Sequence, residues 1–361
     1  MAITTIAHAD PTRVTVGVDT HGDVHVVHVA HAKDQLGRRL DTVSIPSTPT
    51  GYRDLLAWAR GLGQVAAFGV EGTGSYGAGL ARFLREADQV VLEVNRPDRA
   101  ARRRQGKSDP VDAEAAARAV QAGEVTITPK ARDGHVEMLR SLRVARTTAM
   151  RARTQAVNAL RSLVVTAPAE LREQLRGLST VRLVRVATTL DPGSLTSPTA
   201  AAMLALRILA RRYQALDAEI TALDSELDRL TAKAAPRLLA LFGVGPDVAS
   251  ALLVAAGDNP ERLRSDAAFS RLCGSSPIEA SSGKTIRHRL NRGGDRQANA
   301  ALYRIVIVRL RWHQPTRDYL ARRTAQGKTK KEILRCLKRY VAREVFAVLH
   351  QLAEQDQATA A

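Results

Sequence analysis

The chain has 361 residues, with 54 Lys and Arg against 36 Asp and Glu, a formal net charge of +18. That length leaves room for about two or three domains and a sizeable core. A positive excess this large points to a polyanion as partner, nucleic acid first and an anionic membrane surface second. No apolar run reaches the length needed to span a bilayer, and the N-terminal stretch has neither the basic nor the apolar region of a secretory leader. The two cysteines, Cys273 and Cys336, have no ligand spacing, which fits a reducing cytoplasm. Aromatic residues make up 4%, which argues against a binder built on base-stacking platforms.

Taken in order, residues 14–19 read as a buried strand, residues 24–30 as a second strand after a turn at 21–23, and residues 41–45 as a third. Residues 50–60 are predicted helical, with Leu55, Leu56 and Ala59 as the apolar face. Residues 65–70 form a strand ending at Glu71, 76–87 a helix and 90–94 a further strand. A helix then starts at Pro110, which suits a first helical position, with Asp109 as N-cap. Three strands followed by alternating helix and strand predict an α/β layer over residues 1–125. This is the element order of a ribonuclease-H-like or RuvC-like nuclease core, in which acids from the first strand, the fourth strand and a later helix converge on metal ions.

Asp19, Glu71, Asp109 and Asp112 fall at those three places. Two hard divalent cations about 4 Å apart can orient a nucleophile and stabilise the leaving oxygen of a phosphodiester, and carboxylates are the ligands such cations select. Two acids near one helix start also serve simply as caps. Asp23, Asp41 and Glu93 are rivals, ranked lower because Asp23 reads as a turn residue and Asp41 precedes its strand. The glycines Gly72, Gly74 and Gly77 spell a dinucleotide-type fingerprint with Glu93 near the ribose-binding spacing. It ranks low because Glu71 would sit beside the pyrophosphate and three strands precede it. His21, His25, His28 and His31 bridge a turn and a strand, a spacing that does not gather them into a metal site.

Arg96, Arg99, Arg102, Arg103, Arg104 and Lys107 lead into the acid pair as a candidate phosphate-binding arm. Residues 139–165 are predicted helical and carry Arg140, Arg143, Arg146, Arg151, Arg153 and Arg161, as expected of a helix lying along a phosphate backbone. Residues 167–198 are broken by proline and glycine. Leu206, Leu209, Tyr213, Leu216, Ile220, Leu223, Leu227 and Leu230 then recur by threes and fours, a coiled-coil seam. Its partner is either the earlier helix or another subunit, with assembly of subunits preferred. The helical and coiled-coil region is therefore assigned to 126–235.

Residues 238–249 read as helix, Gly-x-Gly turn and helix, where the amides around Gly243 and Gly245 can meet a phosphate without regard to sequence. Gly283, Lys284 and Thr285 mimic the end of a phosphate loop, but Ile278 stands where its first glycine belongs, which excludes a nucleotide triphosphatase. From Lys284 to Arg343 there are 18 Lys or Arg against three acids, a net +15. Ser275, Ser276, Ser281 and Ser282 precede Lys284, Arg287, Arg289 and Arg292. A serine in such surroundings is a phosphate ligand unless a base or metal activates it as a nucleophile.

These motifs resemble those of the DEDD-type insertion-sequence transposases, the bridge-RNA-guided recombinases. GVDTHGD at 17–23, VEGTGSY at 70–76 and KSDPVDA at 107–113 resemble the RuvC-like acidic motifs. LFGVGPDVA at 241–249 and SSGK at 281–284 resemble the C-terminal transposase domain, here 236–361. The resemblance implies that Asp19, Glu71, Asp109 and Asp112 bind Mg²⁺ or Mn²⁺. It also implies that Ser282, with Ser281 adjacent, attacks a DNA phosphodiester and stays joined to the strand end. It further implies donor and target DNA as substrates, a guide RNA from the element's flank, and a homodimer assembling to a tetramer, with another subunit's acids completing the centre. The setting implied is the prokaryotic cytoplasm, with no membrane. The rival readings are a junction resolvase or nuclease using water, and a non-catalytic nucleic-acid scaffold.

Overall fold

A computed structural model of the chain describes residues 13–20, 27–94, 109–259, 262–283, 288–289 and 291–360; the side chains of 27–31, 109 and 353–360 lie outside that description. The chain divides into two compact units, residues 1–134 with 256–264, and residues 135–255 with 265–361.

The first unit is built on a five-stranded sheet. Its strands are β1 (Arg13–Thr20), β2 (Val27–Lys33), β3 (Arg39–Pro46), β4 (Gln64–Glu71) and β5 (Val91–Val94), in the order β3-β2-β1-β4-β5. β2 runs antiparallel to β1 and β3, whereas β1, β4 and β5 are parallel. Helices α1 (Pro49–Leu62) and α2 (Ala78–Glu86) provide the crossovers. Every residue of β1 after Arg13 is buried, so its two faces meet different layers. Val14, Val16 and Val18 join Leu55, Leu56, Ala59, Phe68, Leu80 and Leu84 in one core under α1 and α2. α1 starts where Thr48 Oγ1 accepts from Gly51 N at 3.1 Å and Pro49 opens the helix.

The opposite face carries α3 (Asp109–Gln121), seated on two glycines. A Cβ on Gly17 would lie 2.1 Å from Ala113 O and 2.3 Å from Ala117 N; one on Gly69 would lie 2.6 Å from Val120 Cγ2. Helix backbone therefore lies directly on strand backbone, and the facing residues Ala113, Ala116 and Ala117 are buried. The direction of α3 follows from its far end. Gln121 Nε2 donates to Asp34 O at 2.7 Å, next to Lys33, which pairs with Thr15 near the start of β1. The N-terminus of α3 thus lies at the C-terminal ends of β1 and β4. Lys33 Nζ, 3.1 Å from Glu114 Oε1, fixes the helix's rotation. Asn259 closes the unit by donating to Pro129 O at 3.0 Å and accepting from Ala131 N at 2.9 Å.

In the second unit, α4 (His135–Thr166) pairs with α7 (Pro198–Ala234). Arg146 bonds Asp224 and Arg153 bonds Asp217, so the two helices run antiparallel. The predicted seam packs inside the chain, within this pair: Leu206, Ile220, Leu227 and Leu230 are buried, and Leu209, Tyr213, Leu216 and Leu223 half-buried. The preference for subunit assembly through the seam is corrected accordingly, because α4 takes up this face. The broken stretch 167–198 holds two short helices, α5 (Ala169–Leu175) and α6 (Thr180–Thr189), whose Leu171, Leu175, Leu183 and Val184 share a core with Leu160, Val164, Leu206 and Ala210.

The remainder comprises α8 (Pro236–Leu239), α9 (Pro246–Ala256), α10 (Asp266–Leu272), the ribbon β6 (Ile278–Glu279) with β7 (His288–Arg289), α11 (Arg296–Trp312), α12 (Gln314–Ala325) and α13 (Lys330–Ala360). α10 and α11 pack on α13 around buried Phe269, Leu302, Ile305, Ile333, Val341 and Val345. Among the described residues no helix is long and apolar enough to cross a membrane.

The glycine seat has a measurable consequence. Gly17→Ala is expected to destabilise the first unit by about 2–3 kcal/mol, since its Cβ meets backbone that cannot yield. Gly61→Ala in α1, where an added Cβ meets nothing within 4 Å, is expected to be neutral or stabilising by up to about 1 kcal/mol. Urea denaturation combined with hydrogen exchange of the α3 amides reads both.

Candidate active site

The acids of the first unit are placed by strand register. Gly17 pairs with Gly69 and Val18 with Val70, so the next residues along the two parallel strands are Asp19 and Glu71. Alternation puts Asp19 on the face of Gly17 and Glu71 on the face of Gly69, which is the face covered by α3. Asp112, immediately before Ala113, sits at the end of α3 that overlies these strand ends. Asp19, Glu71 and Asp112 are 4%, 3% and 5% exposed. Asp109 is the first residue of α3, and its side chain is among those outside the described set.

Three carboxylates are thus buried at one end of the sheet. An all-oxygen donor set is of the chemistry that selects a hard cation of the Mg²⁺ or Mn²⁺ kind. Among the described residues, however, no group of three or more His, Cys, Asp or Glu is placed so that it could hold a metal ion.

The rival acids go elsewhere. Glu93 pairs with Val70 and so belongs to the other face of the sheet. Asp41 accepts from Trp58 Nε1 at 2.8 Å and from Thr42 N at 2.7 Å; those bonds hold its carboxyl below the ordinary range. Asp23, His21 and His25 lie outside the described residues. His28 and His31 sit in β2, opposite Thr20 and Gly17. The glycine fingerprint forms a turn closed on itself: Ser75 N and Gly77 N both donate to Gly72 O, at 2.8 and 3.0 Å. Gly72 takes φ +68°, and its missing Cβ would lie 2.7 Å from Thr20 Oγ1. Thr20 Oγ1 in turn donates to Glu71 O at 2.9 Å. Amides so committed are not offered to a pyrophosphate.

In the second unit Arg143, Arg146 and Arg153 of α4 are partly or fully buried, while Arg151 and Arg161 are exposed. Arg143 is 8% exposed; its Nη1 reaches Asp247 O at 2.7 Å, Asp247 Oδ1 at 2.8 Å and Ser250 Oγ at 2.7 Å, and its Nη2 reaches Gln297 Oε1 at 3.2 Å. Arg304 also bonds Asp247, and Arg146 pairs with Asp224 and stands 3.6 Å from Asp247. Arg140 is held by Glu137, and Arg153 lies over the Tyr213 ring at 5.8 Å. The helix that sequence places along a phosphate backbone spends Arg143 and Arg146 on α7, α9 and α11. Asp247 is the hub. Burial pushes its carboxyl up, but the Arg143 and Arg304 guanidiniums outweigh that and hold it below the usual carboxylate range.

Gly243 adopts φ +81° in the turn before α9, with Val308 Cγ1 3.3 Å from where its Cβ would stand. Gly245 faces open space, and Asp247 occupies the first turn of α9, its carboxylate turned to Arg143 and Arg304. Ser281, Ser282 and Gly283 are exposed on the loop between β6 and β7, with Gly283 at φ +53°. Arg289 in β7 and Arg292 beyond it are exposed. Arg99, Arg102, Arg103, Arg104, Lys107, Lys284 and Arg287 lie outside the described residues.

Residues 16–167 match the DEDD transposase family of the IS110 type, and residues 235–321 match the transposase family IS116/IS110/IS902. No curated relative matches the chain. The two matches, in this order and over most of the chain, define an enzyme that cuts and recombines DNA. The chain belongs to the IS110-type transposase family.

The Asp247 hub sets a pH dependence. Its carboxyl titrates below its unfolded value, so its contribution to stability is present above about pH 4 and is lost as pH falls through the depressed folded value. Asp247→Asn is expected to destabilise the second unit by roughly 3 kcal/mol at pH 7, because Arg143 is left buried without its anion. The variant should also show a flatter stability profile below pH 4 than the unaltered chain in acid titration followed by circular dichroism.

Proposed function

We propose that this transposase excises and integrates its element by serine chemistry, with Ser282 as nucleophile and Asp19, Glu71, Asp109 and Asp112 holding Mg²⁺ or Mn²⁺. The observation that carries the acidic half is the shared register of Asp19 and Glu71 under the N-terminal end of α3, where Asp112 is buried. On this reading residues 1–125 act as a ribonuclease-H-like, RuvC-like domain, 126–235 as the helical coiled-coil region and 236–361 as the transposase domain.

Ser282 Oγ forms a bond to the scissile phosphorus as the bond from phosphorus to the leaving strand oxygen breaks. The serine proton goes to a base, and the departing oxygen is protonated. Rejoining reverses the exchange, with a new strand hydroxyl displacing Ser282. Its exposed position on a short ribbon suits a nucleophile that must reach a phosphate within duplex DNA. When bound, the cation supplies charge stabilisation at the phosphate; the carboxylates bind and orient it. Arg289 and Arg292 supply cations on the same ribbon and just after it, with Lys284 and Arg287 between Ser282 and Arg289 in sequence, where phosphate contacts position the strand. The basic run at 99–107 is assigned to nucleic acid, and a guide RNA pairing with donor and target is the partner that the motif set favours, in a homodimer assembling to a tetramer on DNA.

Asp112→Asn and Ser282→Ala, each nearly isosteric, are expected to keep the fold and to lower excision in cells by about 10³-fold or more. Protein purified under denaturing conditions should carry DNA on Ser282 in the unaltered chain and none in Ser282→Ala. Excision that persists in Ser282→Ala but fails in Asp112→Asn would replace the serine by water as nucleophile. Adduct on Ser281 would move the role by one residue.

A further inference from the structure

The second unit holds a cavity of about 620 Å³ between the base of the serine ribbon and α13. One wall is the stretch 274–277 together with His288 and Arg289 of β7; the other is residues 328–343. Among the described lining residues, Arg289, Lys328, Arg335, Lys338, Arg339 and Arg343 face a single acid, Glu332. Glu332 is already engaged, accepting from Thr329 N at 2.9 Å and from Thr329 Oγ1 at 2.7 Å.

The cations are built in rather than scattered on a surface. Lys338 is 7% exposed, and its Nζ donates to Asn299 Oδ1 at 3.0 Å, which uses one of three donors. Burial, and then the neighbouring Arg335, push its ammonium below the ordinary lysine range. Arg339 gives Nη2 to Asp266 at 2.8 Å, while its Nη1 is buried without a hydrogen-bond partner. Such donors close to one another are costly unless an anion completes them.

The space exceeds what a bare phosphate fills, and its remaining lining has a place for a ring. Tyr340 is 47% exposed and lines the cavity, its ring held edge-on by Tyr319 at 5.6 Å and 84°. Asn299, which receives Lys338, donates Nδ2 to Cys273 O at 2.8 Å and Gly274 O at 3.0 Å. One side chain thus ties the cation of α13 to the root of the ribbon that bears Ser281 and Ser282.

We propose that this cavity takes one nucleotide of the DNA strand, its phosphate on Arg335, Lys338 and Arg339 and its base against Tyr340, and so anchors the strand beside the serine ribbon. The inference rests on the reading of Ser282 as a strand-joining nucleophile for its role, though not for the binding itself. Anionic recognition by guanidinium donors and sequence-tolerant stacking on a tyrosine are the two parts of such a site.

Thymidine 3′,5′-bisphosphate, a single nucleotide flanked by phosphates, is titrated calorimetrically into the full chain, with inorganic phosphate as comparison. Binding at least tenfold tighter than inorganic phosphate is expected, weakened about tenfold in Tyr340→Ala and in Arg335→Gln. Neither residue is fully buried, and thermal melts check that both variants fold. Equal affinity for the two probes, or affinity unchanged in both variants, overturns the inference. The adduct assay on the same preparations separates this outcome from the serine reading. Tight, variant-sensitive binding without an adduct keeps the cavity and removes the nucleophile. An adduct without such binding keeps the nucleophile and removes the cavity.

Discussion

The acidic end of the first unit depends on one steric fact: α3 lies close against β1 and β4 because Gly17 and Gly69 carry no side chain. A helix normally stands off a sheet by the thickness of its packed side chains. Here the approach is closer, because Gly17 lies against the backbone of Ala113 and Ala117, and Gly69 leaves room for Val120 Cγ2. The consequence is positional. Asp112, next to Ala113 in the seated turn, is buried rather than exposed to solvent. The same contact fixes direction, with Gln121 at Asp34 at one end and the acids at the other. A wider spacing would leave the strand acids buried and the helix acid in solvent.

Charge in the second unit obeys a different constraint. The long α4 arginines would repel one another and any helix beside them, so the fold pairs them with acids of α7 and α9. Arg146 and Arg153 meet Asp224 and Asp217, and Arg143 meets Asp247. Exposed members of this set contribute little each. The Arg143–Asp247 contact differs, because Arg143 is buried and a one-sided loss would strand its charge. Such pairing takes the α4 cations out of the basic surplus. What remains concentrates after Gly283, on the ribbon and along α12 and α13, where acids are scarce.

Much of the first unit was legible in sequence, because strand alternation and the helix start at Pro110 are local signals. The seam of α7 was legible too, but its partner was not: periodicity shows that a face is apolar and leaves open what covers it. That Arg143, Arg146 and Arg153 of α4 pair with acids of the chain was not legible for a related reason. A charged stripe has the same sequence whether it faces phosphate or the acids of another helix, and Asp247 lies more than 100 residues from Arg143. The glycine seat did leave a signal that was passed over. Gly17-Val18-Asp19 and Gly69-Val70-Glu71 are the same tripeptide pattern on two strands. Adjacent parallel strands in register place the two glycines together under the helix and the two acids together at the strand ends. The cavity under α13 left no such trace, since its walls come from segments some 50 residues apart and each reads alone as a basic amphipathic stretch.

Within the second unit charge is met in two ways. The α4 cations Arg143, Arg146 and Arg153 are matched by acids of α7 and α9. Around the cavity beside α13, Arg289, Lys328, Arg335, Lys338, Arg339 and Arg343 line the space with one acid, Glu332, and Arg339 Nη1 is buried without a hydrogen-bond partner. An anion entering that cavity would complete donors that the chain leaves open, which is the physical ground of the nucleotide proposal.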